Sequence, residues 1–449
     1  MHLSSFPGSR VSRYPACLKR LVALASIMAL ALVAGCKGID VASPPHGEKT
    51  PLQTESGKSV TQQDLLQGKT KVAILVPLSG ETGKTGESIV NAAQLALFDM
   101  GGDATSLHPY DTAGTPDGAR RAAERAITDG ASILIGPLFS SEVKAIATQV
   151  QSAGVPALTL TTDPTAAEHG IYVAGFLIRE QATRVVSYAR EQGLTRFAVL
   201  STDTPFGRAM AGAYEQAVME GGGTLVNTLL RTTGEDARSR IATLTSFQAR
   251  VAERNRQLKS LENKTDPESV KHAAALQIRE TAGALPFDAL LMTSSGTDLM
   301  EDLALLASVD VTSSNVRMIG PMLWNEGTTR TDPALRGAWY PASPPAARGL
   351  FINRYQEAFG KPPASQIASL GYDLTALAAR LSAMAAHPGQ AFRPEKLTDP
   401  SGFEGWDGLF RFRPDGIVER GLAIMEIQPA GPHVVSPAPG TFNRKSPGS

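Results

Sequence analysis

The chain has 449 residues, of which 42% are apolar and 19% charged, so it is long enough for two or three domains and too apolar to be largely disordered. Its 43 basic and 43 acidic residues give a formal net charge of zero, which does not support nucleic-acid binding. The two cysteines are too few for a disulfide framework or a cysteine-rich zinc site.

The first 35 residues have the pattern of a bacterial export signal. Basic residues and no acids precede an apolar run from Leu21 to Leu32, and this run of about 12 residues is too short to span a bilayer. It ends in Val33-Ala34-Gly35-Cys36, which resembles the lipobox of bacterial lipoproteins. The resemblance implies cleavage before Cys36, lipidation of its thiol and anchoring by acyl chains. By the same resemblance, lysine rather than aspartate at position 37 implies anchoring in the outer membrane. The alternative for the apolar run is an uncleaved buried segment with an incidental cysteine.

Two segments have too few aliphatic residues to form a core. Residues 36–70 are rich in Ser, Pro, Gly, Gln and Lys, which predicts a flexible tether to the membrane anchor. Residues 429–449 are rich in Pro, Gly and Ser, which predicts a disordered tail.

The body of the chain, residues 71–428, alternates short apolar runs with helical patterns. The run KVAILV predicts a buried strand, and ESIVNAAQLALFDM after it predicts an amphipathic helix. The alternation continues through ASILIGPL, VPALTL, RFAVLSTD and TLVNTLL. Strands that alternate with helices form parallel sheets covered by helices. The number of repeats predicts an α/β fold with two doubly wound parallel-sheet lobes.

Residues 237–281 interrupt the alternation, because they contain no strand-like run. An imperfect heptad seam predicts a helical insertion there. Residues 237–264 hold seven bases and two acids. One interpretation is a solvated helix that packs on its own lobe. The other is a partner-binding surface that includes Arg250, Arg254 and Lys259, which lie off the apolar seam.

No catalytic or phosphate-binding motif is complete in the sequence. Gly83-Lys84-Thr85 ends like a phosphate loop, but that loop needs glycine at position 78, which is Leu78. The nucleophile elbow and the HExxH motif are absent, and the seven histidines are scattered. A pair of catalytic carboxylates stays open but has no support in the pattern. We therefore predict a protein that is not an enzyme and that uses no cofactor or metal.

Hydroxyl side chains follow three strands of the predicted sheets, at the point where each strand ends. They are Ser79, Ser140, Ser141, Thr161 and Thr162. In parallel α/β sheets this edge binds ligands, and helix N-termini there attract carboxylates. The alternative for each residue by itself is helix capping. Together the turns predict a ligand-binding cleft.

Three long segments resemble a known family. They are VAILVPLSGETGKTGESIVNAAQLAL, DTAGTPDGARRAAERAITDGASILIGPLFSSEVKAIATQVQSAGVPALTLTTDP and AVLSTDTPFGRAMAGAYEQAVMEGGG. From about Lys71 to Ile427 the chain resembles the type I periplasmic binding proteins of the leucine/isoleucine/valine class. The resemblance implies two lobes joined by a three-strand hinge. The first lobe would comprise residues 71–178 and 326–396, and the second residues 179–325 and 397–428.

Within that superfamily, three features resemble the penicillin-binding protein activator lipoproteins. They are the insertion, the segment FDALLMTSSGTDLMEDLALL with MIGPMLWNE after it, and the closing GLFRFRPDGIVERGLAIMEI. This resemblance implies a periplasmic lipoprotein that binds a penicillin-binding protein and activates peptidoglycan synthesis. The alternative function is a substrate-binding lipoprotein of an ABC transporter for branched-chain amino acids or related small carboxylates.

The resemblance to amino-acid-binding members also implies positions for the ligand. Their carboxylate-binding hydroxyls and amides correspond to Ser140, Ser141, the backbone of Leu160, and Thr162. Those members also place an acid directly after a Gly-Pro of the second lobe, where this chain has Met322. An apolar side chain cannot neutralise a buried ammonium, which costs several kcal/mol to leave unpaired. The resemblance thus implies a carboxylate site without a partner for an ammonium.

Overall fold

The computed structural model describes residues 69–100, 104–231 and 236–442. The predicted export signal, the lipidation of Cys36 and the tether up to residue 68 lie outside these ranges, so they stay predictions. Within the ranges, no helix has both the length and the hydropathy that crossing a membrane requires.

The first lobe is built on a five-stranded sheet in the order β2-β1-β3-β4-β5, in which all neighbouring strands are parallel. Strand β1 lies inside the sheet because its unbroken apolar run is buried on both faces. The strands are β1 Thr70–Val76, β2 Thr105–Asp111, β3 Ile133–Ile135, β4 Ala157–Thr159 and β5 Ile171–Val173. The helices that alternate with them are α1 Gly83–Asp99, α2 Pro116–Thr128 and α3 Ser140–Ala153.

The second lobe is built on a seven-stranded sheet in the order β15-β14-β10-β9-β8-β6-β7. Its strands β6 to β10 are parallel, whereas β14 and β15 pair antiparallel at one edge. The strands are β6 Arg196–Thr202, β7 Thr224–Arg231, β8 Ala289–Met292, β9 Arg317–Ile319, β10 Trp339–Ala342, β14 Ala423–Gln428 and β15 Gly431–Ser436. Its helices are α4 Ile178–Glu191, α5 Pro205–Glu220 and α9 Gly296–Ala307. The predicted α/β fold with parallel-sheet lobes is confirmed.

The predicted insertion folds as three helices on the second lobe. They are α6 Ala237–Leu244, α7 Phe247–Leu261 and α8 Pro267–Gln277. Ile241, Leu244 and Phe247 join the core of that lobe. The apolar seam therefore packs on the lobe itself, and the polar side of the helices faces outward.

The remaining elements return the chain to the first lobe. Tyr355 on α10 packs with Leu95 on α1, and Phe403 and Phe410 of a small antiparallel sheet join the core around β1. These elements are α10 Pro345–Phe359, α11 Ala368–Met384, α12 Pro394–Leu397, β11 Phe403–Gly405, β12 Gly408–Phe412 and β13 Val418–Arg420.

The lobe boundaries differ from those that the resemblance implies. Residues 326–342 belong to the second lobe, because β10 lies between β9 and β14 of its sheet. Residues 397–420 belong to the first lobe, because the aromatic faces of β11 and β12 pack into its core. The chain thus crosses between lobes after β5, after β10 and after β13.

The predicted disordered tail is wrong for residues 431–436, which form β15. This strand pairs antiparallel with β14, and Val434 and Val435 pack against the second-lobe cores. Backbone pairing supplies the hydrogen bonds of an edge strand whatever its side chains are, so the Pro/Gly-rich composition misled the prediction. Residues 443–449 lie outside the described ranges.

Candidate ligand-binding cleft

The carboxyl ends of β1, β3 and β4 form one edge of the first sheet. Because these strands are adjacent and parallel, the loops after them lie side by side. Ser141, in the first turn of α3, and Thr162, in the loop after β4, are exposed, whereas Leu160 and Thr161 are buried. The structure therefore brings these predicted residues to one edge of the sheet, and only some of them face solvent.

The hydroxyl of Ser140 is hydrogen-bonded to an acidic side chain of the same chain. Its hydroxyl donates to Asp163, whose other carboxylate oxygen accepts from the amide (2.9 Å) and the hydroxyl (2.7 Å) of Thr165. Lys144 Nζ lies 3.5 Å from Asp163 Oδ2. Partial burial opposes ionisation, but the bonds from Ser140 and Thr165 and the charge of Lys144 lower the pKa of Asp163 to about 2. A negative charge is therefore fixed beside the predicted carboxylate site.

Ser79, Leu160 and Thr161 also form hydrogen bonds within the loops, and Ser79 bonds to the carboxylate of Asp111. The amides of Leu78 (2.8 Å) and Ala113 (2.7 Å) donate to Asp111. Partial burial raises the pKa of Asp111, but hydrogen bonds from Leu78, Ser79 and Ala113 outweigh it and lower that pKa. The Leu160 amide donates to the Pro137 carbonyl (2.9 Å), and Thr161 Oγ1 accepts from the Asp163 amide (3.2 Å).

The N-terminus of α3 keeps part of its capacity to bind an anion. Glu142 is fully buried in its first turn and accepts from the Phe139 amide (3.0 Å). Burial raises the pKa of Glu142, although hydrogen bonds from Thr112 and from the Phe139 amide oppose this shift. The amides of Ser140 and Ser141 come at the start of the helix, where no intrahelical acceptor exists. These two amides and the exposed hydroxyls of Ser141 and Thr162 are the donors that remain for a ligand.

The corresponding edge of the second sheet follows β6, β8 and β9. After β9, the amide of Met322 donates to Gln181 Oε1 (3.1 Å), and Trp324 is fully buried with Nε1 donating to the Ser294 carbonyl (2.9 Å). A Cβ at Gly320 would lie 2.1 Å from the Trp324 ring, so only glycine fits there. Asp203, the acid after β6, is paired with Arg208.

Three large apolar side chains are exposed shortly after strands at these two edges. Leu78 follows β1 and is 38% exposed, Phe206 follows β6 and is 38% exposed, and Leu323 follows β9 and is 37% exposed. Sequence reasoning missed them. The available signal was a large apolar residue among the turn residues directly after a buried strand.

The predicted partner-binding bases of the insertion have different environments. Arg250 is only 5% exposed, and its guanidinium donates to the carbonyls of Val309 (3.2 Å) and Asp310 (2.9 Å) and to Thr281 Oγ1 (2.7 Å). The prediction that Arg250 binds a partner is wrong, because its position off the heptad seam faces the loop after α9. Its role is to hold α7 to that loop.

Arg254 also has an internal role, because its guanidinium donates to the carbonyls of Leu276 (3.0 Å) and Gln277 (3.3 Å) at the end of α8. Lys259 is exposed on α7. Among the three predicted bases, Lys259 alone is both exposed and without such a role in the described part of the chain.

A family model described as "Periplasmic binding protein" matches residues 69–432. The chain belongs to the periplasmic binding protein family. This family membership places the body of the chain outside the cytoplasm and identifies it as a binding protein. The described residues contain no group of His, Cys, Asp or Glu side chains arranged to hold a metal ion.

Several solved structures share the fold. A branched-chain amino acid ABC transporter periplasmic ligand-binding protein from Burkholderia xenovorans is 17% identical with a TM-score of 0.59, over 82% of this chain and 95% of that one. A solute-binding protein of an ABC transporter from Rhodopseudomonas palustris, solved with 3,4-dihydroxybenzoic acid, is 19% identical with a TM-score of 0.55, over 85% and 99%.

A third similar structure is a branched-chain amino acid transporter substrate-binding protein from Streptococcus pneumoniae in complex with isoleucine. It is 16% identical with a TM-score of 0.53, over 82% of this chain and 100% of that one. At these identities the likeness concerns the fold. No curated protein matches the chain.

Proposed function

We propose that the chain is the solute-binding protein of an ABC transporter and that its cleft takes a small carboxylate with an apolar body. The observation that carries this proposal is that exposed apolar side chains occur at the same strand ends as hydroxyls that have no hydrogen-bond partner within the described ranges. Leu78, Phe206 and Leu323 are exposed at the strand ends, where Ser141 and Thr162 are exposed as well. Small-molecule sites combine apolar surface with a few polar groups in this way.

The carboxylate would bind at the N-terminus of α3. The amides of Ser140 and Ser141 and the hydroxyls of Ser141 and Thr162 are donors, and the positive end of the helix dipole favours an anion. Asp163 opposes this through its negative charge, which Lys144 partly offsets at 3.5 Å. A carboxylate therefore binds there more weakly than it would without Asp163.

The ligand would lack an ammonium group. Met322 occupies the position where a partner acid is expected, and Asp203 is already paired with Arg208. Leaving an ammonium unpaired costs several kcal/mol. An aromatic or branched carboxylate, such as the ligand of the similar Rhodopseudomonas palustris protein, suits these groups better than an amino acid. We therefore propose a receptor and not an enzyme, in line with membership of the periplasmic binding protein family.

Calorimetric titration tests this proposal. We expect benzoate to bind, and benzyl alcohol and leucine to bind at least tenfold more weakly. The double variant Ser141→Ala/Thr162→Ala should weaken benzoate by more than about tenfold, since each hydrogen bond to a charged group contributes roughly 1.5–3 kcal/mol. Thr224→Ala/Ser260→Ala, which removes two exposed hydroxyls elsewhere, is the matched control. Tighter binding of leucine than of benzoate contradicts the ligand class.

A second candidate function is the activation of a penicillin-binding protein, and the surface of α7 and α8 favours it. Ile278 is 87% exposed and Val270 is 53% exposed, and Lys259, Lys264 and Lys271 are exposed on the same helices or the turn between them. Exposed apolar residues are typical of a docking site, and the exposed lysines on these helices would attract an acidic group of a partner. The lipobox at Cys36 would hold this surface near the cell-wall synthases.

Pull-down from solubilised envelopes tests the second candidate. We expect a penicillin-binding protein to bind the chain and to be lost with Lys259→Glu/Ile278→Asp. The matched control is Lys361→Glu/Met384→Asp, which also reverses a lysine and replaces an apolar side chain with aspartate, at exposed positions of the first lobe. Equal recovery with both double variants, or no synthase at all, rules this surface out and leaves the transporter function.

A further inference from the structure

A cavity of about 580 Å³ lies at the edge of the first sheet opposite to the cleft. It is bounded by the end of α3, by the residues before β4 and β5, and by the segments 392–398 and 414–416. Its volume is in the range of about 300–1,000 Å³ that small-molecule sites occupy. Because the amino ends of the strands form this edge, the cavity is separate from the proposed carboxylate site.

The charged side chains that line the cavity are acidic. Glu168 accepts from Gln151 Nε2 (3.0 Å), and Asp415 is paired with Arg413 (2.6 Å). Glu395 is exposed at the rim, and within the described ranges it has no hydrogen bond or ion pair. The described lining contains neither Lys nor Arg. A positively charged ligand would therefore find one carboxylate fully available and two partly available.

Tyr172 provides a second, independent indication of a ligand. It is only 6% exposed, and its ring packs edge-on to Phe412 with centroids 5.4 Å apart, which fixes the side chain in the core. Its hydroxyl has no hydrogen-bond partner among the described residues, although the side chain lines the cavity. Burial, with a smaller contribution from the charge of Glu395, raises the pKa of Tyr172. The hydroxyl and Glu395 thus face the same space.

We propose that this cavity binds a small aliphatic amine, with its ammonium between Glu395 and the hydroxyl of Tyr172. An ammonium has three donors and no acceptor, so it satisfies both the carboxylate and the lone pairs of the hydroxyl. The apolar stem lies along Phe392 and Val155, which line the same cavity. A metal ion is a poorer occupant, because no metal-binding group of side chains occurs in the described part of the chain.

Calorimetry with the full chain and 1,4-diaminobutane tests the proposal. We expect binding of the diamine, and none of 1,4-butanediol or succinate, which match its length but are neutral or negative. Glu395→Gln and Tyr172→Phe should each weaken the binding of the diamine about tenfold. Tyr172→Phe keeps the ring that packs against Phe412. Glu404→Gln, which removes an exposed acid outside the cavity, should have no effect.

The cleft variant Ser141→Ala/Thr162→Ala separates the two sites, and we expect it to bind the diamine as the unmodified chain does. The absence of heat with 10 mM diamine, or equal binding of the diol, overturns the proposal. So does diamine binding that neither Glu395→Gln nor Tyr172→Phe weakens, because the amine would then bind elsewhere.

Discussion

The hydroxyl of Ser140 donates to the carboxylate of Asp163. These two residues close the loops after β3 and β4 against each other, at the position where a ligand carboxylate is expected. The chain thus uses one of its own carboxylates where related receptors are expected to accept that of the ligand. We therefore expect the affinity of the proposed carboxylate site for anions to depend on Asp163.

Asp163→Asn should strengthen the binding of benzoate by about tenfold, which corresponds to about 1.4 kcal/mol. Asparagine keeps an oxygen that can accept from Thr165, but it removes the negative charge that repels the ligand. Titration calorimetry at low salt measures the effect, with Glu124→Gln on the exposed side of α2 as the control for net charge. An unchanged dissociation constant means that the carboxylate does not bind next to Asp163.

Arg250→Ala should lower the free energy of unfolding by about 2–4 kcal/mol, because it leaves buried carbonyls and Thr281 without their donor. Lys259→Ala on the same helix should change it by less than about 0.5 kcal/mol, because that side chain is exposed. Urea unfolding followed by circular dichroism compares the two variants. Equal effects would show that Arg250 does not hold the insertion to the lobe.

Gly320→Ala should destabilise the second lobe by about 1–3 kcal/mol, because the new methyl group would overlap the Trp324 ring. Gly349 on α10 has open space around it, and Gly349→Ala should instead stabilise the chain by about 0.5–1 kcal/mol. Thermal unfolding measures both. The loss of Trp324 packing should also be visible as a shift of the indole fluorescence to longer wavelength.

The stabilising effect of Asp288 should depend on pH. Partial burial opposes its ionisation, but bonds from the Arg196 side chain (2.7 Å) and from the Arg196 (2.9 Å) and Thr195 (3.1 Å) amides outweigh it and lower the pKa to about 2. A carboxylate with a lowered pKa stabilises the fold at pH values above its pKa in the unfolded chain, which is near 4. This stabilisation is lost as the pH falls towards 2. Asp288→Asn should therefore lower the melting temperature at pH 7, and the difference should shrink by pH 2.5.

Cys36→Ala should leave the chain as an unlipidated and uncleaved precursor in its bacterial host, because the lipobox reaction needs the thiol. Labelling with a fatty-acid analogue detects the acyl chains, and membrane fractionation detects the anchor. Cleavage before residue 36 and membrane association that both survive the substitution would contradict the lipoprotein prediction.

Local sequence was a good guide wherever a single element sets the outcome. The unbroken apolar run of β1 predicts a buried parallel strand, and the alternation of strands and helices predicts both sheets. The hydroxyls after β3 and β4 are predicted at the correct edge, because parallel strands always end on the same side. Composition misled the prediction at β15, whose backbone pairs with β14 although its side chains include Gly and Pro.

The sequence by itself determined the fold class and placed the turns after β1, β3 and β4 at one edge of a sheet, whereas ligand binding at that edge and the lipobox at Cys36 stay predictions. Only the tertiary structure decided which polar side chains are free. Arg250 meets the carbonyl of Val309, 59 residues away, and the Tyr172 cavity joins segments from residue 150 to residue 416. Burial and hydrogen-bond partners depend on such long-range neighbours, which hydrophobic periodicity along the chain does not encode.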